Sequence, residues 1–446
     1  MITTIDEWEG AFSELSDRLL ESLHPQEFLS LELVGERSHF IRFNRAKVRQ
    51  SGLVVDSSVK LRLIDDRRTA YTTFPLTGNG AADLAAALEN LSYLRQEVVQ
   101  LPEDPYLVIP EHQDSSREVY RGNLLPPESA VAEILPAVQD LDFTGFYASG
   151  EVIRAYHDSA GQKHWFATES FLLDYSLISP SQKAVKSILA DRAWHSSRYH
   201  EQIQQGRKQL KLLDSPLHEV KPGRYRTYLA PSAVAALLGM FSWGGVSEAS
   251  LRQGGSALAK MRKGKTLSPL FNLRENFKAG NVPRFNDLGE MAPEELPLIV
   301  EGKLVNTLVS SRTAKEYGLW SNGAGTREGL RSPEVSPGSL KEEDILSELD
   351  RGLYLSNLHY LNWSDRPGGR VTGMTRYACF WVEKGEIVAP IQDLRFDDSL
   401  YAFLGENLLA LTEFQEFIPQ TGTYEGRSLG GFLMPGLLGE DFTFTL

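Results

Sequence analysis

The sequence predicts an α+β protein whose C-terminal half is rich in β-structure, and three observations carry that prediction. Near the N-terminus, short apolar runs with a period of two follow one another closely between two helix-like segments. A Pro- and acid-rich stretch at 102–113 and the pair Pro222-Gly223 divide the 446 residues into three parts. Beyond residue 222, apolar runs turn repeatedly at glycine, the signature of hairpins. The expected organisation is an N-terminal α+β domain over 1–101, with antiparallel strands flanked by helices. A linker and middle α/β segment follow over 102–221, and a large β-rich domain over 222–446.

Each element has a local reason. Residues 5–23 place Trp8, Phe12, Leu15, Leu19 and Leu23 at helical spacing, and His24-Pro25 closes that helix. Strands are expected at 28–34, 39–43, 48–55, 59–64 and 69–74. Their turns fall at Gly35-Glu36-Arg37, Asn44-Arg45, Asp56-Ser57-Ser58 and Asp65-Asp66. An Ala- and Leu-rich helix over 81–101 follows Gly78-Asn79-Gly80. Pro126-Pro127-Glu128 opens a helix to about residue 135. Strands over 143–155 and 163–177 meet at the turn His157-Asp158-Ser159-Ala160-Gly161, and a polar helix is expected over 181–212.

A short strand over 224–229 leads into 230–245, a stretch without a charge and apolar on nearly every face. Pro231 suits a first helical turn and Gly244-Gly245 a stop, so this reads as a helix buried on all sides. Hairpins over 298–305 and 380–388 turn at Gly302 and Gly385. A Gly/Ser/Pro-rich loop over 321–338 ends in Ser339-Leu340-Lys341-Glu342, which has the spacing of a capping box for a helix to 350. A strand over 353–363 follows.

Composition excludes several function classes. A net charge of −13 leaves no basic excess to displace counterions from a nucleic acid. A lone Cys379 excludes an internal disulfide framework and suits a reducing cytosol, so a cytoplasmic protein is expected. The first 25 residues are acidic and lack the apolar run of a signal peptide, and no window reaches membrane-spanning length.

Motifs that carry chemistry are sparse. Residues 259–266 resemble a relaxed phosphate-binding loop, but a helix-like stretch precedes them and Leu267-Ser268-Pro269 follows, which is the wrong context. His195 and His200 lie five apart on a polar helix with no carboxylate beside the first. Cys379 sits inside an apolar strand, where an inert thiol is expected. His157, Asp158 and His164 flank one hairpin tip and are the first candidates for an atypical peptidase or hydrolase site, although no third ligand for a metal is evident. From the residues alone no catalytic side chain can be assigned.

In the C-terminal half, a series of short pieces occurs in a fixed order. Pro222-Gly223-Arg224-Tyr225 leads into Leu229-Ala230-Pro231-Ser232-Ala233. Next come Pro283-Arg284-Phe285-Asn286-Asp287-Leu288-Gly289, Leu298-Ile299-Val300-Glu301-Gly302-Lys303-Leu304 and Ser321-Asn322-Gly323. Thr372-Gly373 and Trp381-Val382-Glu383-Lys384-Gly385-Glu386-Ile387 close the series, with Pro390 after them. In this order and spacing the chain resembles the TldD/PmbA family, once called modulators of DNA gyrase and regarded as peptide-processing metalloproteases.

The resemblance implies an N-terminal α+β domain and a large β-rich C-terminal domain. It also implies that the helix at 230–245 is where the zinc-bearing branch carries His-Glu-x-x-x-His, two ligands and a base for the metal-bound water. Those positions fall near Leu238, Gly239 and Trp243, and no His or Glu occurs between Arg224 and Ser247. The chain is thus similar to the PmbA (TldE) branch. The resemblance then implies no metal in this chain, zinc in a TldD-type partner (or a homodimer in its absence), and an extended or unfolded peptide as substrate. Two other readings stand beside it, the atypical peptidase and a non-proteolytic modulator that binds a protein such as gyrase.

Overall fold

The computed structural model of the protein describes residues 4–445. The N-terminal half is one sheet covered on one face by helices. Helix α1 (Ile5–Leu20) starts at a capping box in which Thr4 and Glu7 exchange hydrogen bonds. Strands β1 (Glu27–Asn44), β2 (Lys47–Asp65) and β3 (Arg68–Pro75) follow as an antiparallel meander, then helix α2 (Gly80–Val98). After residues 102–113 come β4 (Ser115–Tyr120), α3 (Pro127–Ile134), β5 (Asp142–Asp158), β6 (Lys163–Ile178), β7 (Ala184–Asp191) and α4 (Ser196–Leu213). The sheet order is β3-β2-β1-β5-β6, with β4 and β7 each paired along a different part of β6. Because β1 pairs with β5, the stretches before and after residues 102–113 share one sheet.

Three local expectations give way to long-range pairing. Gly35-Glu36-Arg37 and Asp56-Ser57-Ser58 are not turns. They lie inside single long strands, with Gly35 opposite Ser57 on one side and Ile153 on the other. Ladder bonds on both flanks outweigh the turn preference of these residues. The helix expected from 181 begins only at Ser196, because 184–191 is β7. Val185 and Leu189 are buried four residues apart, a spacing that fits one face of a strand as well as of a helix. The capping box at 339–342 does not form. Leu340 instead bridges to the strand Leu408–Pro419 through Leu340 N–H to Leu411 O (3.0 Å) and Glu413 N–H to Leu340 O (2.8 Å). The helical turns there start after Lys341, which caps nothing with its side chain.

Side chains alternate across the sheet. Odd-numbered residues such as Leu31, Ile153 and Trp165 pack under α1 and α2, and Ile41, Tyr147 and Leu173 under α3 and α4. Even-numbered residues such as Tyr156 and Phe166 face the C-terminal half, where they pack on Phe285.

The C-terminal half is an 11-stranded sheet curled upon itself. Its strands are β8 (Gly223–Leu229), β9 (Leu273–Asn276), β10 (Glu295–Val300), β11 (Lys303–Leu304), β12 (Pro333–Val335), β13 (Gly352–Asp365), β14 (Arg370–Glu383), β15 (Glu386–Pro390), β16 (Arg395–Ser399), β17 (Leu408–Pro419) and β18 (Gly431–Phe444). Its helices are α5 (Pro231–Gly239), α6 (Glu248–Arg252), α7 (Ser311–Tyr317) and α8 (Ile345–Leu349). Strands β8, β13, β14, β16 and β18 close into a ring, since β18 pairs with both β16 and β8. Helix α5 leaves β8 and packs against β8, β13, β17 and β18, in the main apolar core of this half. Ring closure explains why a helix without charge is stable here: its neighbours are apolar on nearly every side. Among the described residues no helix is long and apolar enough to cross a membrane.

Candidate functional site

Helix α5 is nine residues long and is followed by a 3-10 turn over Met240–Ser242. Leu238 is fully buried, with Val234, Leu237 and Phe241 in the same core. The expectation of burial on all sides holds for most of the helix and fails along one stripe. Ser232, Ala236 and Gly239 are half-buried, and Trp243 is 53% exposed. These positions recur at helical spacing, so α5 keeps one accessible face. Trp243 is held by its backbone, whose carbonyl accepts from the Trp363 indole N–H at 2.7 Å. Gly244 follows at φ +82, a conformation that favours glycine. A zinc ion needs lone pairs from His, Cys or a carboxylate. Leu238, Gly239 and Trp243 supply none, so these positions do not fit the metal.

Next to the end of α5 runs an open groove of about 590 Å³ between the two halves. The even-numbered face of the sheet supplies Glu32, Val34, Arg154 and Tyr156, and Phe285 and Leu330 form the opposite wall. Leu330 N–H donates to Ser242 Oγ at 3.0 Å, which ties this wall to the turn after α5. Burial pushes the Glu32 carboxyl up, against the pull of Lys60 Nζ at 3.0 Å. Burial lowers Arg154 to about 10.

The groove wall is built by the segment 283–289 noted in the sequence. Asn286 Oδ1 accepts from the N–H groups of Leu288 (2.8 Å) and Glu290 (3.0 Å), and its Nδ2 donates to Ala324 O (2.9 Å). Arg331 donates to the carbonyls of Phe285 (2.9 Å) and Arg284 (3.0 Å). Buried Glu275 in turn accepts from the N–H groups of Arg331 (2.7 Å) and Ser332 (2.6 Å). Asn, Arg and Glu here act as scaffold, satisfying backbone groups of loops that no ladder reaches.

The hairpin trio does not assemble into one centre. Tyr156 pairs with His164 and His157 with Lys163, so the pleat puts the two histidines on opposite faces of the sheet. His157 lies under α1 against Phe12, with ring centroids 4.8 Å apart. His164 stacks on Phe285 at 5.2 Å and shares a 2.9 Å hydrogen bond with Ser116 Oγ. Asp158 organises the turn. Its carboxylate accepts from the N–H groups of Ala160, Gly161 and Gln162, each at 3.0 Å, and from Gln162 Nε2 at 2.7 Å. Gln162 Nε2 also donates to Leu288 O at 3.0 Å, so the hairpin tip docks on the 283–289 segment. Among the described residues no three His, Cys, Asp or Glu side chains form a group that could hold a metal.

Burial, reinforced by the nearby Lys163 charge, lowers the His157 imidazole to about 4, although Asp17 pulls the other way. Below pH 6.5 the unfolded chain binds a proton there that the folded chain refuses until about pH 4. Stability present above pH 6.5 is therefore lost as the pH falls through that window, approaching about 3 kcal/mol. His157→Leu should flatten the dependence of the urea midpoint on pH between 6.5 and about 4. An unchanged slope would show that other groups govern acid unfolding.

Of the remaining sequence candidates, Cys379 is buried and its thiol is pushed up to about 11 by burial. The 259–266 loop is a 3-10 turn over Met261–Lys263 ending at Gly264 with φ +95. His195 and His200 are exposed. Sequence reasoning missed two buried carboxylates beyond α5. Glu328 accepts from Ser247 Oγ (2.7 Å), Ala249 N–H (2.9 Å) and Ser310 N–H (2.8 Å), joining the starts of α6 and α7. Burial would raise Glu248, but Arg262, Thr307 and Arg252 hold it below the usual carboxylate range. Nothing in the local sequence marks Glu328, whose partner Ser247 lies 81 positions away, and the i,i+4 pairing of Glu248 with Arg252 does not reveal its bond to Thr307, 59 positions away.

Comparison with known proteins agrees with this architecture. The family model described as PmbA/TldA metallopeptidase C-terminal domain matches residues 222–446, half of the chain. A modulator of DNA gyrase from Thermotoga maritima superimposes with a TM-score of 0.77 at 17% identity, covering 97% of this chain and 100% of that one. TldE from Thermococcus kodakarensis gives 0.76 at 16%, covering 98% and 100%. A modulator of DNA gyrase from Bacteroides thetaiotaomicron gives 0.76 at 14%, covering 100% of both chains. No curated protein matches by sequence. At these identities the solved structures establish the fold, and the family model establishes descent: the chain belongs to the PmbA/TldD family.

Proposed function

We propose that this chain is the non-catalytic subunit of a peptide-processing complex and works beside a zinc-bearing TldD-type partner. One observation carries the reading. The helix where the family's active branch would place its ligands and base presents Leu238, Gly239 and Trp243 instead. Those side chains offer no lone pair to a metal and no group to take a proton from water. Activity must then come from another chain, and this one contributes walls and an interface.

The groove between the halves is the place offered to substrate. An extended peptide there is held through its backbone, which any unfolded sequence can supply. Arg154 and Arg331 stand against Glu32 and Asp287 in the groove lining, so it reads shape and backbone more than net charge.

The test is cleavage of an unstructured peptide by this chain alone, by a family member bearing His-Glu-x-x-x-His alone, and by the mixture, each with and without chelator. Chelator-sensitive cleavage is expected only in the mixture. Cleavage that copurifies with this chain alone would sink the proposal and point to a site outside α5.

A further inference from the structure

A second cleft lies between the two halves, separate from the groove beside α5. The loop from Gln420 to Gly430, which joins β17 to β18, stands between them and contributes Gln420, Ser428 and Leu429 to both. The second cleft is compact, about 320 Å³, which is the size of a small-ligand pocket. Leu172, Phe417 and Leu433 supply apolar wall.

Its charges do not balance. Arg192, Arg198 and Arg427 line it, against Asp191 and Glu334. Most of these are already engaged. Glu334 takes Arg274 at 2.8 Å, Asp191 takes Arg198 at 3.5 Å, and Arg427 is bonded to Ser170 and Ser38. Arg192 differs. Among the described residues its guanidinium forms no ion pair with a carboxylate; it lies over the Tyr120 ring at 4.8 Å. Its Nη1 is buried and has no hydrogen-bond partner. Nη1 itself is sealed from the cleft, but the side chain as a whole is only half-buried and lines it, so a guanidinium without a carboxylate partner stands at the cleft wall.

We propose that this cleft binds the carboxylate end of a small ligand with an apolar body, and that Arg192 is the partner of that carboxylate. The planar fork of arginine matches two carboxylate oxygens. With Asp191 and Glu334 already paired, the one guanidinium left without a carboxylate matches a monoanion better than a phosphate dianion. A free peptide C-terminus and a fatty-acid head share this chemistry. The site stands apart from the partner-subunit reading, because it needs neither a partner nor cleavage.

Titration calorimetry on the full chain tests it with three probes: N-acetyl-Ala-Ala-Leu with a free carboxylate, the same peptide as its C-terminal amide, and octanoate. The acid peptide should bind one per chain and the amide at least about tenfold more weakly. Arg192→Gln should bring the acid down to the level of the amide and leave the amide unchanged. Octanoate binding that also depends on Arg192 identifies aliphatic acids as ligands. Acid-peptide binding without octanoate binding identifies a peptide terminus. Equal affinity for acid and amide, or no binding by either acid, overturns the proposal. That comparison uses the unaltered chain, so it decides even if Arg192→Gln does not fold.

Discussion

Arg427→Ala is expected to be among the most destabilising single substitutions in this chain, at about 3–5 kcal/mol. Arg427 leaves the β17–β18 loop and enters the even-numbered face of the N-terminal sheet, where it is almost fully buried. Its guanidinium donates to Ser38 Oγ (3.3 Å), Gly150 O (3.4 Å), Ser170 O (3.1 Å) and Ser170 Oγ (2.8 Å). Ser38, Gly150 and Ser170 are directly paired across β1, β5 and β6, so three small residues in one row make room for the side chain. Its own N–H donates to the buried Glu36 carboxylate at 3.3 Å. Truncation removes one of the two arginine charges, Arg427 and Arg154, that act on the buried Glu36 carboxylate, and opens a void between the halves. Arg427→Met should cost less, because it refills the space even though it removes the charge. Urea unfolding of both variants and of Glu36→Gln checks this. A loss below about 1 kcal/mol for Arg427→Ala would show that the two halves are held by other contacts.

Leu238→Ala should cost about 2–5 kcal/mol, and Trp243→Ala far less, although both positions belong to the degenerate metal motif. The reason is placement. Leu238 is enclosed by the ring of strands around α5, so truncating its side chain leaves a cavity that β8, β13 and β18 cannot collapse into without breaking their ladders. Trp243 sits at the accessible stripe, half-exposed, with its main structural bond made by its carbonyl and kept in any variant. Thermal unfolding of the two variants, compared with the parent, reads the difference directly. Equal losses would mean that Trp243 is packed against something beyond this chain's own core, as an interface would require.

The helix periodicity of α1, the Pro231 start of α5 and the glycine turns at Gly302 and Gly385 are all legible in the sequence, because each depends on residues a few positions apart. So is the absence of ligating atoms at Leu238, Gly239 and Trp243, which is a matter of residue chemistry alone. The candidate groove is not legible there. Its walls come from β1, β5 and the 283–289 and 330–331 segments, brought together only by pairing and docking.

By itself the sequence determined the fold class, the charge, the family resemblance and the chemistry that α5 cannot perform. Tertiary structure decided that Gly35-Glu36-Arg37 runs through a strand, that His157 and His164 lie on opposite faces, and that Ser38, Gly150 and Ser170 form a single cradle for Arg427. The physical reason is the same in each case. A strand alternates its side chains with a period of two, so what meets what depends on register between segments far apart in the chain, and no local propensity encodes that register.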